Sequence, residues 1–269
     1  MRNKTAIITG ASSGIGLALA KELAQQGVNL VLGARKYITL CQIAEELEAA
    51  HQVRVVAVQC DVSIEEDCKQ LVNQALLTFK SIDILINNAG ISMRALFRDL
   101  DLSVLKNLMD INFWGTVYCT KYALPALLAS KGSIVGVSSI AGYRGLPGRT
   151  GYSASKFAMN GFMESLRVEN LKTGLHIMVA CPGFTASNIR NTALNHQGEQ
   201  FGETSMEEEK MMTAEEVAKR IVRGIVHRKR TLIMTRQGKL AVLMNKLVPA
   251  WVDKKVYALF AKEKNPLIK

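Results

Sequence analysis

The chain has 269 residues, 48% hydrophobic and 21% charged, the balance of a globular protein with a sizeable core rather than of a disordered or fibrous chain. Five scattered cysteines without a Cys-x-x-Cys pair and four histidines far apart (His51, His176, His196, His227) argue against a disulfide framework and a metal site. The net charge of +11 sits at one end: Lys219 to Lys269 holds 14 Lys/Arg against only Asp253 and Glu263, and the remainder has 20 bases and 21 acids, so an electrostatic partner is expected at the carboxyl end. The apolar run Ala6–Ile8 near the amino terminus is too short for a signal-peptide core. No run reaches the roughly 18 apolar residues of a membrane span, and the expectation is a cytoplasmic protein in a reducing compartment.

Lys4–Thr9 reads as a short buried strand. It leads into Thr9-Gly10-Ala11-Ser12-Ser13-Gly14-Ile15-Gly16, and the helical pattern Leu17, Leu19, Leu23, Ala24 follows. A glycine-rich turn between strand and helix lets the backbone approach a pyrophosphate seated on the helix amino terminus, or it is only a tight connection. A second strand, Val28–Gly33, completes a β-α-β unit. At its end stand Ala34-Arg35-Lys36, where an acidic residue would meet the 2′-hydroxyl of NAD. Two cations without a carboxylate suit the 2′-phosphate of NADP, or form a solvated basic loop.

A helix (Ile38–Ala50) and a strand (Val53–Gln59) follow, ending in Cys60-Asp61-Val62. Asp61 is placed to accept from an adenine amino group, and equally to cap a helix beginning near Ser63. That helix runs to about Lys80. The strand Ile82–Ile86 opens into Asn87-Asn88-Ala89-Gly90, small and amide residues that make a flat wall for a cofactor or an ordinary turn. Ser103–Leu128 is a long helical pattern broken once near Asn112. The strand Ile134–Val137 stops at Ser138-Ser139. A loop rich in Gly and Pro follows, and then a helix carrying Tyr152 and Lys156.

Tyr152 and Lys156 are four residues apart and share a helix face. A phenol titrates near 10 and is a poor acid or base at neutral pH. A neighbouring ammonium is expected to lower that value, so that the pair moves a proton to or from an alcohol or carbonyl oxygen. A sixth strand, Leu175–Ala180, is stopped by Pro182-Gly183. Phe184–Met211, 28 residues of low periodicity, reads as a lid or substrate loop. Thr213-Ala214-Glu215-Glu216 starts a helix with a capping box, and Thr231–Thr235 is the last strand. Strand and helix alternate and the strands are continuous apolar runs, which predicts an α/β fold with a doubly wound parallel sheet in a single domain. Each candidate site residue falls at or just after a strand's carboxyl end, where such sheets bind ligands.

Taken together, Thr9-Gly10-x-x-x-Gly14-Ile15-Gly16, Asn87-Asn88-Ala89-Gly90, Asn112, Ser139, Tyr152-x-x-x-Lys156 and Pro182-Gly183 resemble the classical short-chain dehydrogenases/reductases, from Lys4 to about Thr235. The family's serine lies 13 residues before the tyrosine, which selects Ser139 over Ser138. The resemblance implies a Rossmann fold and a catalytic set of Asn112, Ser139, Tyr152 and Lys156. In it Tyr152 is the general acid in carbonyl reduction and the base in alcohol oxidation. Lys156 binds the nicotinamide ribose and lowers the tyrosine pKa, helped by the charge of the oxidised nicotinamide. Ser139 positions the substrate oxygen, and Asn112 holds a water beside Lys156 in a proton relay. Gly10, Ser12, Ser13, Gly14, Ile15, Gly16, Arg35, Asp61, Val62, Asn88, Ala89, Gly90, Tyr152, Lys156, Pro182, Gly183 and Thr185 would hold the cofactor, with Thr185 on the nicotinamide carboxamide and no metal required. A homodimer or homotetramer through the helices of Tyr118 and Phe157 is implied as well.

The expected reaction is NADP(H)-dependent exchange between a secondary alcohol and a ketone, with NAD(H) the second choice of cofactor. Met93, Leu96, Phe97, Leu146 and Phe184 point to a lipophilic, steroid-like or acyl-chain substrate of lipid metabolism, whereas Arg94, Arg144, Arg149 and Arg190 would receive an anionic head group. A scaffold or sensor that binds NADP without turnover is the alternative. Residues 1–237 form the expected cofactor-binding domain and 238–269 a basic amphipathic extension. In the extension Leu240, Leu243, Leu247 and Trp251 make one apolar row, and Val252, Val256, Leu259 and Phe260 a second beside Lys254, Lys255 and Lys262. The extension either covers the core or a partner subunit or lies on an anionic membrane. It has no base-reading motif or stacking platform, so no nucleic-acid partner is expected.

Overall fold

A computed structural model describes residues 1–185, 189–190, 192–200, 202, 211–262 and 265–268. Seven parallel strands form one sheet: β1 (Thr5–Thr9), β2 (Asn29–Ala34), β3 (Val55–Gln59), β4 (Ile84–Asn87), β5 (Ser133–Val137), β6 (His176–Cys181) and β7 (Thr231–Ile233). Their spatial order is β3-β2-β1-β4-β5-β6-β7. The helices are α1 (Gly14–Gln25), α2 (Tyr37–Ala50), α3 (Glu65–Phe79), α4 (Leu102–Met109), α5 (Gly115–Ala129), α6 (Thr150–Glu169), α7 (Ala214–Val226), α8 (Arg236–Leu247) and α9 (Pro249–Phe260).

Helices cover both faces of the sheet, which is why β1 and β5 are buried at each position and read as unbroken apolar runs. Leu19 and Leu23 of α1 pack with Val217 and Ile221 of α7 over one face, and Leu71 of α3, Cys119 and Leu127 of α5 and Met163 of α6 over the other. Helix α7 shows the cause most plainly. Val217, Ala218, Ile221, Val222 and Ile225 face the sheet at helical spacing. Its start is capped as expected, with Thr213 Oγ1 accepting from Glu216 N at 3.1 Å. All five cysteines are free thiols, four of them buried.

The strand order reverses between β1 and β4, and a crevice opens there at the carboxyl ends. Thr9 and Asn88 tie its two walls together. Thr9 Oγ1 accepts from the backbone N–H groups of Asn88 and Ala89, both at 3.0 Å, and Asn88 Nδ2 donates to Thr9 O at 2.9 Å. Two glycines are required by this junction. Gly10 has a φ of +66°, and at Gly16 a β-carbon would lie 2.2 Å from the Gly10 carbonyl oxygen, so α1 packs against the turn only because no side chain is present.

Two readings need correction. The break expected near Asn112 is a single π-helical turn, Asp110–Trp114, between α4 and α5. The helical path continues, and the extra residue in the turn disturbs the 3.6-residue period. Asp61 caps a turn rather than the helix: its Oδ1 accepts from Ser63 N and Ser63 Oγ at 3.0 and 2.7 Å, while α3 begins at Glu65. The expected lid Phe184–Met211 falls in part on residues 186–188, 191, 201 and 203–210, outside the described residues. Within its described part, Leu194 exchanges backbone hydrogen bonds with Ser92 O and Arg94 N at 2.9 and 2.8 Å, tying that segment to the chain after β4.

Candidate active site

One cleft of about 630 Å³ runs along the carboxyl ends of the strands. Its lining includes Gly10, Ser12, Ser13, Gly14, Ile15, Arg35, Asp61, Val62, Asn88, Ala89, Gly90, Ser139, Tyr152, Lys156, Pro182, Gly183 and Thr185. Of the expected site residues, Gly16 and Asn112 stand behind the wall. Gly16 lets α1 reach the turn, and Asn112 is wholly buried. Asn112 Oδ1 accepts from Ile91 N at 2.8 Å, and its Nδ2 donates to Ile91 O at 3.0 Å and Ser155 Oγ at 2.9 Å. Its amide therefore clamps the chain leaving β4 to the catalytic helix. Gly90 fills the space between: a β-carbon there would stand 3.0 Å from Asn112 Oδ1 and 3.4 Å from Lys156 Nζ.

Ser139 follows β5 and Tyr152 opens α6. The Ser139 hydroxyl accepts from Ala141 N at 3.1 Å, which fixes the side chain, and it lines the cleft with the Tyr152 phenol. Ser138 also lines the cleft, with its Oγ 2.7 Å from where a Gly142 β-carbon would be. Lys156 is buried, with Nζ donating to Val137 O at 2.9 Å and lying 5.9 Å from the Tyr152 ring centre. The tyrosine's pKa moves against the expected direction. Burial raises it, and the Ser139 hydroxyl and the Arg149 charge pull it back only in part. A buried phenol holds its proton because the phenolate loses more hydration than the phenol. Burial lowers the Lys156 ammonium to about 8 for the same reason.

The shift at Lys156 has a consequence for stability. An unfolded lysine titrates near 10.4. Between pH 8 and about 10 the unfolded chain keeps a proton that the folded one has shed, so stability rises with pH across that window. Without cofactor, the wild type should gain on the order of 2–3 kcal/mol relative to Lys156→Met from pH 8 to 10, read from urea midpoints. A constant difference would show that Lys156 is not buried as a charge.

The cleft also receives Ser92, which the sequence reading did not place. Ser92 lines it next to Arg149, which donates to Ser92 Oγ at 3.1 Å and Met93 O at 3.4 Å. Of the lipophilic candidates, Leu146 and Phe184 line the cleft with Ile189 and Leu194. Met93 lies buried in the cluster that also receives Tyr152, and Phe97 is exposed on the surface. Arg149 and Arg190 line the cleft, whereas Arg94 and Arg144 face the carboxyl-terminal segment. Arg144 donates to Asn245 Oδ1 at 3.0 Å and Asp253 Oδ1 at 2.6 Å, and Arg94 to Asn265 O at 2.7 Å. The extension thus grips the connection between Ser139 and Tyr152.

The cleft has the chemistry of a dinucleotide site. Gly14, with a φ of +54°, exposes backbone N–H groups at the start of α1, which suits a pyrophosphate. Arg35 and Lys36, both exposed, stand beyond β2 where the adenosine ribose would lie.

Residues 4–198 match the family model described as short chain dehydrogenase. The chain is 38% identical over 233 residues to 11-beta-hydroxysteroid dehydrogenase A of Sesamum indicum, covering 84% of this chain and 67% of that protein. It is 35% identical over 267 residues to 11-beta-hydroxysteroid dehydrogenase-like 2 of Arabidopsis thaliana, covering 99% and 84%. Among solved structures it resembles an alcohol dehydrogenase of Thermococcus sibiricus complexed with 5-hydroxy-NADP, with a TM-score of 0.75, 27% identity and coverage of 86% and 95%. It also shares its fold with a short chain dehydrogenase/reductase of Burkholderia phymatum in complex with NAD, at a TM-score of 0.83, 23% identity and coverage of 93% and 95%. The chain belongs to the short-chain dehydrogenase family, and it is an oxidoreductase of alcohol and carbonyl groups that uses a nicotinamide cofactor.

Proposed function

We propose that the protein is an NADP(H)-dependent reductase and dehydrogenase of lipophilic, steroid-like or acyl-chain ketones and secondary alcohols. The observation that carries this reading is the convergence of Ser139, Tyr152 and Lys156 in one cleft with the apolar walls Leu146, Phe184 and Leu194. The steroid dehydrogenases among its relatives support the substrate class. Arg35 and Lys36 support NADP over NAD, because a guanidinium pairs with a phosphate in a charge-assisted fork and no carboxylate competes for the ribose.

The cofactor would be held by the turn Gly10–Gly16, by Arg35, Asp61 and Val62, by Asn88–Gly90, and by Lys156, Pro182, Gly183 and Thr185; when bound, it supplies the hydride. Ser139 orients the substrate oxygen and Tyr152 Oη hands it a proton in reduction or takes one in oxidation. The raised pKa of Tyr152 keeps it protonated at neutral pH, the form that reduction needs, and charge from Lys156 and the bound cofactor would have to ease the proton's release. Lys156 carries positive charge below pH 8 and steadies negative charge as it develops on the phenol oxygen. The Asn112 side chain already clamps Ile91 and Ser155, so in its relay role a water would be held by a remaining lone pair on Oδ1 or on the main-chain carbonyl, which accepts from Thr116 Oγ1 at 3.1 Å. Trp114 on the π-turn, which stacks on Tyr118, and Phe157 on α6 are exposed large aromatics, and they support a homodimer or homotetramer through α5 and α6.

A turnover panel tests this reading. NADPH oxidation is expected with steroid and long-chain ketones, at a kcat/KM at least about tenfold above that for acetone-sized ketones, since burying two extra methylenes contributes about 1.6 kcal/mol. A preference for small ketones would refute the lipophilic substrate.

A further inference from the structure

We propose that the outer face of the α8–α9 hairpin docks onto an anionic lipid bilayer. The hairpin, Arg236 to Phe260, is barely covered by the rest of the chain: its buried residues are Gly238, Val252 and Phe260. The apolar row Leu240, Leu243, Leu247 and Trp251 is 59%, 54%, 67% and 52% exposed. Leu240, Leu243 and Leu247 recur at i, i+3 and i+7 along α8, and Trp251 stands in the first turn of α9, just past the non-helical Val248. Leu259 and Val248 are exposed as well. A patch of contiguous large apolar side chains on a basic ground marks an interaction surface.

The inner face is already committed. Arg144 binds Asn245 and Asp253, Asn245 Nδ2 donates to Tyr143 O at 3.2 Å, and Gly238 packs on Ile140 so closely that a β-carbon would stand 2.6 Å away. These contacts hold the hairpin on the protein body and spend its single carboxylate, Asp253, in an ion pair with Arg144. Arg236, Lys239, Lys246, Lys254 and Lys255 remain around the apolar stripe, all exposed. Lys255 lies over the Trp251 ring at 5.3 Å. Long lysine stems lie along apolar surface while their heads reach outward to charged groups.

This arrangement selects its partner by charge. A second copy meeting the same face across a two-fold axis would set like charges against each other. Nucleic acid would match the charge and leave the leucine stripe in water. An anionic bilayer satisfies both, taking the stripe into the acyl boundary and the lysines into the headgroup layer. Each helix has 12 residues, about 18 Å of length, against a hydrocarbon core of about 30 Å. No helix among the described residues is long and apolar enough to cross a membrane. The hairpin therefore lies in the interface and holds the protein peripherally. This inference rests on the surface alone and does not depend on the reductase reading.

Co-sedimentation of the full chain with phosphatidylcholine vesicles, and with vesicles that also contain phosphatidylglycerol, tests it. The protein should pellet with the mixed vesicles at least about tenfold more strongly than with neutral ones, and raised salt should weaken this binding. Trp251 emission should shift to the blue in the wild type and show no such component in Trp251→Phe. The triple variant Leu240→Gln, Leu243→Gln, Leu247→Gln should lose binding about tenfold or more while melting at the wild-type temperature. Lys254→Glu with Lys255→Glu should lose only the dependence on anionic lipid. Equal binding to both vesicle types, or no binding by the wild type, would overturn the proposal. Self-association in sedimentation velocity that the triple variant abolishes would overturn it too, and would assign the stripe to a second copy.

Discussion

Tyr152→Phe is expected to lower kcat for ketone reduction by about 10²–10⁴-fold, with little change in melting temperature or in NADP binding. The variant removes one oxygen from a ring packed against the cluster of Met93, Leu100, Val104 and Leu108. The ring and its apolar contacts remain, so the fold has little reason to respond. Ser139 still accepts from Ala141 N and keeps its place. What disappears is the proton that the substrate oxygen needs as negative charge grows on it. A phenol titrates at about 10 and burial raises Tyr152 further, so that proton is present at neutral pH in the wild type. No neighbour replaces it: Ser139 is a far weaker acid, and the Lys156 ammonium is turned to Val137 O. Tyr122→Phe serves as the control, since Tyr122 hydrogen-bonds Glu65 at the surface and its loss should leave the rate unchanged. Unaltered turnover in Tyr152→Phe would remove Tyr152 from the mechanism.

Arg35→Asp is expected to reverse cofactor preference. The change removes the guanidinium proposed for the 2′-phosphate and puts a carboxylate where a free ribose hydroxyl would be held. A hydrogen bond to a charged group contributes about 1.5–3 kcal/mol, so NADP should bind roughly 10–100-fold more weakly, and NAD more tightly than before. Arg35 is exposed beyond β2 and has no part in the core, so thermal stability without cofactor should not move. Melting temperatures with each dinucleotide report the result directly. Wild-type protein stabilised more by NAD than by NADP would contradict the assignment before any substitution is made.

The sheet was legible because a parallel strand covered by helices on both sides must be apolar throughout. All seven strands appear within two residues of where the runs in the sequence place them. The cleft was legible because its residues sit at strand ends, a position that follows from topology once the strands are placed. Other features depend on distance through space. Arg144 and Asp253 lie 109 positions apart and carry no local sign of their pairing, so the grip of the extension on the Ser139–Tyr152 connection could not be read. The π-turn at Asn112 shows in sequence only as a lost period, which resembles a helix end. The direction of the Tyr152 shift is a balance between burial and charge. The sequence displays Lys156 beside it and conceals how deep the ring lies.

The central claim is that this chain moves a hydride between a nicotinamide and a substrate carbon. NADPH deuterated at C4, on the face each enzyme of this kind selects, tests it most directly when supplied in both epimers with the best ketone of the panel. One epimer should place deuterium on the carbinol carbon of the product and the other should not, with Tyr152→Phe giving the same label far more slowly. Ketone reduced without label from either epimer, or NADPH consumed with no alcohol formed, would contradict the account.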